Sequence, residues 1–198
     1  SVALGEDGPT HQPVEHMVTL RSTPNLNSWR PADLVETAVA WNEAVQSKET
    51  PTCLIFSRQG TSAISRTEDQ LSLINKGGYL VDESDNSDIT LIASGSEVQL
   101  VIDAAKELKN DSISANVVSM PSLDIFLQQS EEFQSSIINP DKPILVVECS
   151  HPNSWYRILN RKDKVIGIES FGESAPGIEL LLSLIHISEP TRHRYISY

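Results

Sequence analysis

Five short apolar runs divide the chain, with polar or amphipathic segments between them. The runs lie at residues 53–56, 89–93, 115–118, 144–147 and 165–168. Each is apolar at consecutive rather than alternate positions, which is typical of strands covered on both faces of a parallel sheet. Because helical patterns separate the runs, they predict an α/β fold with a mostly parallel sheet.

Two of the intervening segments have the spacing of amphipathic helices. The first is predicted to begin at Pro31, which suits a first helical position, and its apolar residues recur at Leu34, Ala38, Trp41 and Val45. The second is predicted to begin at a capping box of Ser96 and Gln99, and its apolar face comprises Val98, Val101, Ala105 and Leu108.

The pattern weakens between Gln59 and Asp88, where we predict a linker at residues 67–88. A short helix is predicted within it from Thr67 to Asn75, ended by the glycines at 77 and 78. The acidic run at 82–88 that follows is interpreted as a solvated turn. A calcium loop is disfavoured because the run lacks the glycine that such a loop needs.

Composition excludes several classes of function. The chain has 198 residues and a formal net charge of -12, which argues against binding along a nucleic-acid backbone. No apolar run approaches the ~20 residues of a membrane helix. Cys53 and Cys149 are too isolated to support a disulfide framework or a zinc site. With no leader pattern at Ser1, we expect a cytoplasmic protein and a segment of a longer chain.

The densest cluster of functional residue types is the sequence GEDGPTHQP at positions 5–13. Two glycines and two prolines in nine residues impose a fixed, non-repetitive backbone. Asp7 and His11 in such a loop suit acid/base work or hydrogen bonding to a polyhydroxylated substrate. The alternative is structural: Asp7 caps a turn, and His11 packs at the start of the next helix.

Arg58 is a second candidate, since it directly follows the apolar run at 53–56. The carboxyl ends of strands in α/β sheets are where ligand crevices form. The alternative is a surface arginine paired with a neighbouring acid.

Two further features have mainly structural interpretations. The sequence SGSEV at 94–98 could hold an anion at a helix N-terminus, but Glu97 would repel it, so a glycine turn with Ser96 as the cap is favoured. His151, Trp155 and Tyr156 could form a stacking platform, but without a basic groove we favour packing.

The loop, extended to Glu15, resembles the signature loop of transketolases. Other motifs agree with that family in order and approximate spacing, at residues 21–25, 29–36, 57–59, 77–79, 93–98, 119–122 and 171–176. The resemblance covers about residues 1–182. One departure follows Gln59, where Gly60 and Thr61 replace an Asn-Leu pair found in many members.

The resemblance implies a function for each candidate residue. Transketolases use thiamine diphosphate to move a two-carbon ketol unit from a ketose phosphate to an aldose phosphate. His11 would be catalytic, bonding the sugar oxygen near the reacting carbon, while Asp7 would accept a hydrogen bond from a hydroxyl. Arg58 would hold the phosphate through two parallel hydrogen bonds. Asp7, His11 and Arg58 are thus the predicted substrate-binding residues.

The resemblance also predicts the domain organisation. Residues 1–66 would be the end of a pyrimidine-binding domain, 67–88 the linker, 89–182 the transketolase C-terminal domain, and 183–198 a non-native tail. The intact enzyme would be a homodimer that uses thiamine diphosphate with Mg²⁺ or Ca²⁺. No residue of this chain is assigned to the cofactor or the metal, because the Gly-Asp-Gly signature is absent.

We therefore expect a transketolase fragment that is inactive and poorly soluble alone. Two alternatives remain open at this point. One is a separate C-terminal partner subunit of a split thiamine-diphosphate enzyme, and the other is a fragment of a dihydroxyacetone synthase. Neither alternative changes the predicted partners, which are sugar phosphates rather than nucleic acid or membranes.

Overall fold

The structure is a computed structural model, and it describes residues 7–175. Two β-sheets organise this part of the chain. The first sheet pairs two parallel strands, β1 (Asn27–Trp29) and β2 (Thr52–Leu54). Helix α1 (His16–Ser22) precedes β1, and helix α2 (Leu34–Gln46) connects the two strands. This unit contains the candidate loop and Arg58.

The second sheet has the strand order β3-β5-β4-β6-β7 among the described residues. Its strands are β3 (Tyr79–Asp82), β4 (Ile89–Ala93), β5 (Ala115–Ser119), β6 (Ile144–Val147) and β7 (Lys164–Ile166). All neighbours pair in parallel except β3, which is an antiparallel edge strand. The predicted α/β fold with a mostly parallel sheet is confirmed.

Helices cover both faces of this second sheet. Helix α4 (Glu97–Asn110) packs on one face, while α5 (Leu123–Phe126) and α6 (Glu131–Ile137) lie on the other side. In β4, Leu91 and Ala93 join the cluster under α4, whereas Ile92 joins the opposite cluster. Because successive side chains of a strand point to opposite faces, burial on both faces explains the unbroken apolar runs of β4, β5 and β6. The run at 53–56 differs from the prediction, because β2 is only half-buried and Phe56 is exposed.

The predicted linker contains regular structure. Helix α3 (Glu68–Leu73) begins at a complete capping box of Thr67 and Gln70, within the helix that the sequence predicts there. Residues 79–82, however, form β3, which pairs with β5 through a register shift after Leu80. This strand was missed because it is short and sits between glycines and an acidic turn. The predicted tail at 183–198 lies outside the described residues.

The predicted start of α2 is wrong, whereas α4 begins after Ser96 as predicted but without its capping box. Helix α2 begins after Asp33, whose carboxylate accepts a hydrogen bond from the Glu36 amide at 3.1 Å, so Pro31 precedes the helix. At α4, Ser96 bonds Glu97, and Gln99 bonds Asp103, so the capping box does not form. The predicted apolar face of α4 is confirmed, with Val98, Val101 and Ala105 buried.

The predicted apolar positions of α2 form an exposed stripe. Leu34 is 85% exposed and Val45 76%, and Trp41 stacks on Phe56, which is also exposed, with ring centroids 6.3 Å apart. The side of α2 that faces the second sheet instead buries Glu36 and Ala40. A contiguous apolar surface of this kind favours association.

We expect the purified chain to self-associate through this stripe, and Trp41→Gln to reduce the association. Sedimentation velocity across a concentration series measures the change. Leu100→Gln, which changes an equally exposed apolar residue on α4, is the matched control and should have no effect. A wild-type chain that stays monomeric at high concentration would contradict the prediction.

Candidate functional site

The loop at 5–15 is described from Asp7 onward. Gly8 has a φ of 76°, a left-handed conformation that favours glycine, and it leads into a single 3₁₀ turn at Pro9–His11. Pro9 suits the first position of that turn because its fixed φ and missing N–H fit there. Asp7 and His11 therefore lie at opposite ends of one tight turn, which is the rigid loop that the sequence predicts.

Arg58 and Asp7 contact each other directly. The Nη1 of Arg58 donates to Oδ2 of Asp7 across 51 positions of sequence. The Arg58 side chain remains 52% exposed, so the pair faces solvent. The contact uses one of the five guanidinium N–H donors, which leaves the others available to a ligand. Two of the three predicted site residues thus form one polar cluster.

His11 is exposed, and its ring is held by a local contact. Its Nδ1 lies 3.1 Å from the hydroxyl oxygen of Thr10. With Nδ1 engaged, Nε2 is the ring atom left to meet a ligand, as a donor or an acceptor according to the tautomer. His11 therefore does not pack against the start of the next helix, which was the structural alternative.

The residues after His11 are held by the second sheet unit. The buried side chain of Gln12 bonds the backbone of Glu173, and the carbonyl of Val14 accepts a hydrogen bond from the His151 amide at 2.9 Å. Val14 also packs against Ile168. Sequence reasoning assigned none of these residues to the site.

A buried charge cluster joins the two units a few residues further along. Arg21 of α1 binds Glu148 with two hydrogen bonds of 2.7 and 3.1 Å, and the side chains are only 2% and 0% exposed. Arg30, just after β1, contacts Glu148 and forms an ion pair with Glu97. The Arg21 guanidinium lies 4.8 Å from the centre of the Trp155 ring, whose indole N–H also donates to Glu148.

These contacts decide the charge of Glu148. Burial opposes ionisation, but the guanidiniums of Arg21 and Arg30 outweigh it and lower the pKa of Glu148 to about 2. Burial likewise lowers the pKa of Arg30, and the carboxylates of Glu97 and Glu148 more than reverse that change. Glu148 and Arg30 are therefore charged at neutral pH. They form a network in which each charge has a partner.

A second buried cluster ties α2 to the segment predicted as a linker. Arg66 donates to Asp33 at 2.7 and 3.1 Å and to Glu36 at 3.3 Å, and its side chain is almost fully buried. Tyr79 of β3 and Ser119 of β5 donate to the same Glu36 carboxylate. Burial and the Glu36 charge both raise the pKa of Tyr79, so it stays a donor. Arg66 thus holds the chain between the two sheets in a fixed position.

The structure also distinguishes the functional from the structural interpretation of two further features, the segment at 94–98 and the group of His151, Trp155 and Tyr156. Gly95, with a φ of 60°, makes the predicted turn, and a Cβ there would lie 2.8 Å from the Arg30 guanidinium carbon. Arg30 therefore occupies the space beside this helix N-terminus. Trp155 is fully buried, which confirms packing over a stacking platform, while Tyr156 is exposed.

Comparison with known proteins identifies the family. The family model described as the transketolase pyrimidine-binding domain matches residues 1–62, and that of the transketolase-like C-terminal domain matches residues 77–184. Because the second match alone covers more than half of the chain, the chain belongs to the transketolase family.

Individual relatives agree. The chain is 46% identical to transketolase 1 of Vibrio parahaemolyticus over 182 residues, which is 91% of this chain and 27% of the relative. It is similar in structure to a Pichia stipitis transketolase solved with sedoheptulose 7-phosphate, at a TM-score of 0.85 and 39% identity, covering 93% of this chain and 26% of that one. The chain thus spans about a quarter of the length of these proteins.

A third structure shares the fold at lower identity. It is a chain of a split-gene transketolase, solved as an inactive β4 tetramer, with a TM-score of 0.69 and 21% identity. The match covers 91% of this chain and 59% of that one. At this identity the likeness concerns the fold alone.

Neither a metal cluster nor a membrane helix is present within residues 7–175. No three His, Cys, Asp or Glu side chains there are grouped so that they could hold a metal ion. None of the helices in this range is both long and apolar enough to span a bilayer.

We predict that Glu148→Gln destabilises the fold by about 3–5 kcal/mol, because it leaves buried guanidiniums without their full countercharge. Urea unfolding followed by circular dichroism measures the change. The control Asp103→Asn removes the exposed pair with Lys106 and should leave the free energy of unfolding unchanged. Equal effects of the two substitutions would contradict the prediction.

The same carboxylate predicts a pH dependence. A folded pKa of about 2 against the usual 4.5 means that Glu148 stabilises the fold above pH 4.5 and loses this contribution as the pH falls toward 2. Between these values, the free energy of unfolding should fall less steeply in Glu148→Gln than in the wild type. If the free energy of unfolding depends on pH equally in the two proteins, Glu148 does not titrate as described.

Proposed function

We propose that this chain is the part of a transketolase that binds the sugar phosphate, and that the intact enzyme transfers a two-carbon ketol unit between sugars. The observation that carries the proposal is the Asp7–Arg58 pair beside the turn of His11, within a chain of this family. The pair joins an anion-binding guanidinium to a hydroxyl-binding carboxylate at one exposed surface.

Each residue has a task that suits its chemistry. Arg58 holds the phosphate with the N–H groups that Asp7 leaves unused, since a guanidinium matches a phosphate in planar, bidentate geometry. Asp7 accepts a hydrogen bond from a sugar hydroxyl, as an ionised carboxylate can only accept. His11 bonds the sugar oxygen next to the reacting carbon through Nε2 and moves a proton there.

The pairing of Asp7 with Arg58 also affects the selectivity of the site between sugar phosphates and free phosphate. A carboxylate beside the guanidinium partly offsets its charge, so an anion without hydroxyl groups gains less at this surface. A sugar phosphate compensates for this by donating a hydroxyl hydrogen bond to Asp7. The pair therefore favours phosphorylated sugars over free phosphate, in a chain whose net charge of -12 repels anions generally.

The cofactor is assigned to the intact enzyme. Thiamine diphosphate supplies the nucleophilic carbon of this chemistry when bound, and the match to a pyrimidine-binding domain supports its use here. Mg²⁺ or Ca²⁺ would hold its diphosphate. Neither group is assigned to a residue of this chain, because its sequence lacks the Gly-Asp-Gly signature of the diphosphate and metal site.

The remaining context follows from the family. We propose that the intact enzyme is a cytoplasmic homodimer of the pentose phosphate pathway, and that this chain alone is inactive. A separate partner subunit and a dihydroxyacetone synthase remain alternatives, and no contact in the structure favours either. Donor cleavage by the purified chain with only thiamine diphosphate and magnesium added would refute the inactivity.

The test is binding of xylulose 5-phosphate and of inorganic phosphate to the full chain, followed by NMR. We expect wild-type affinity for the sugar phosphate to be weak, about millimolar, because few charged hydrogen bonds form. Arg58→Ala should abolish binding of both ligands. Asp7→Asn should weaken binding of the sugar phosphate but strengthen that of inorganic phosphate, because it frees Arg58 from its carboxylate partner.

Arg161→Ala, which removes an exposed arginine in the second unit, is the matched control and should change neither affinity. A nonspecific anion site cannot explain a change in which Asp7→Asn weakens binding of the sugar phosphate and strengthens binding of inorganic phosphate. If Arg58→Ala and Arg161→Ala reduce binding equally, the proposed site is wrong.

A further inference from the structure

Gln12 is a buried polar residue directly after the exposed His11, and both ends of its carboxamide are used. Its Nε2 donates to the carbonyl of Glu173 at 2.9 Å, and its Oε1 accepts from the amide of the same residue at 3.1 Å. The side chain is 4% exposed. A carboxamide that pairs with both backbone groups of one residue is held in a single orientation, as in a strand ladder.

The partner loop is shaped for this contact. A Cβ on Gly172 would lie 2.1 Å from Oε1 of Gln12 and 3.0 Å from its Cβ and Cδ. Any side chain at position 172 would therefore push the carboxamide away from Glu173. Glycine here serves the close approach of two segments that lie 160 positions apart in the sequence.

The turn that carries His11 needs such support. It is one 3₁₀ turn, closed by the bonds from His11 to Gly8 at 3.2 Å and from Gln12 to Pro9 at 3.3 Å. A single turn of this kind is not stable by itself, because one or two hydrogen bonds do not offset the fixed backbone angles. Gln12 is the C-cap of this turn and directly follows His11, so whatever fixes Gln12 fixes the orientation of His11.

We propose that Gln12 is a positioning residue for His11, and that the loop at 171–173 of the second sheet unit holds it through Gly172 and Glu173. The proposal rests on the proposed function, because the orientation of His11 matters only if His11 binds the sugar. It gives the second unit a part in the site through its contact with Gln12. Removing this contact loosens the turn and leaves Arg58 as it was.

The first experiment measures amide hydrogen exchange in the full chain. Gln12→Ala and Gly172→Ala should each speed exchange at His11 and Gln12 by about tenfold or more, while the amides of β4 and β5 stay protected. The double variant should match Gln12→Ala, because both changes act through one contact. Gln12→Met, which keeps the side-chain volume but loses both hydrogen bonds, replaces Gly172→Ala if that variant does not fold.

Two matched controls are available in the chain. Gln46→Ala removes an exposed glutamine at the end of α2, and Gly60→Ala adds a Cβ where no atom lies within 4 Å. Both should leave the exchange at His11 unchanged. Unchanged exchange at His11 in a folded Gln12→Ala, or a general rise across β4 and β5, overturns the proposal.

The second readout separates positioning from simple stabilisation. Gln12→Ala should weaken binding of xylulose 5-phosphate by about threefold or more and leave that of inorganic phosphate unchanged, because Arg58 is not affected. Loss of both affinities, or of neither, contradicts positioning. If the wild type binds no sugar phosphate, the proposed function fails, whereas the exchange experiment still decides whether Gln12 holds the turn.

Discussion

Glu148 is buried between two arginines that come from the other sheet unit, and the arrangement of the two units within residues 7–175 depends on this contact. Arg21 and Arg30 approach it from α1 and from the end of β1, while Trp155 and Ser94 bond it from its own unit. A buried charge cluster of this kind is stable only when all members are present, because each unpaired charge is expensive to desolvate. The network therefore selects one relative position of the two sheets more than it adds stability.

That position matters because the site is assembled from both sides of the junction. The loop from Asp7 to Gln12 belongs to the first unit, as does Arg58, which lies four residues after the end of β2. The loop at 171–173, which holds Gln12, belongs to the second. A shift of one sheet against the other by an ångström would break the hydrogen bonds to Glu173 before it disturbed either core. The buried charge pairs at the junction therefore also maintain the geometry of the candidate site.

Sequence reasoning predicted the fold and the candidate residues for different physical reasons. Unbroken apolar runs specify doubly covered strands, and β4 and β6 begin and end where those runs do. The start of α2 was predicted too early, at Pro31 rather than after the Asp33 cap. Proline fits an extended segment before a helix as well as it fits the first helical position. Asp7, His11 and Arg58 could be chosen from loop chemistry and resemblance. Gln12, Arg21 and Glu148 could not, because the contacts Gln12–Glu173 and Arg21–Glu148 join residues more than 120 positions apart. Ser94 and Glu148, however, both follow predicted strands and so share a sheet edge.

We propose that Asp7, His11 and Arg58 supply the sugar-phosphate end of a transketolase. The most direct experiment replaces the matching 182 residues of the Vibrio parahaemolyticus transketolase 1 with residues 1–182 of this chain and assays ketol transfer from xylulose 5-phosphate. We expect an active chimera in which Arg58→Ala raises KM more than it lowers kcat, and His11→Ala lowers kcat. A chimera that folds, dimerises and binds thiamine diphosphate but transfers no two-carbon unit would contradict it.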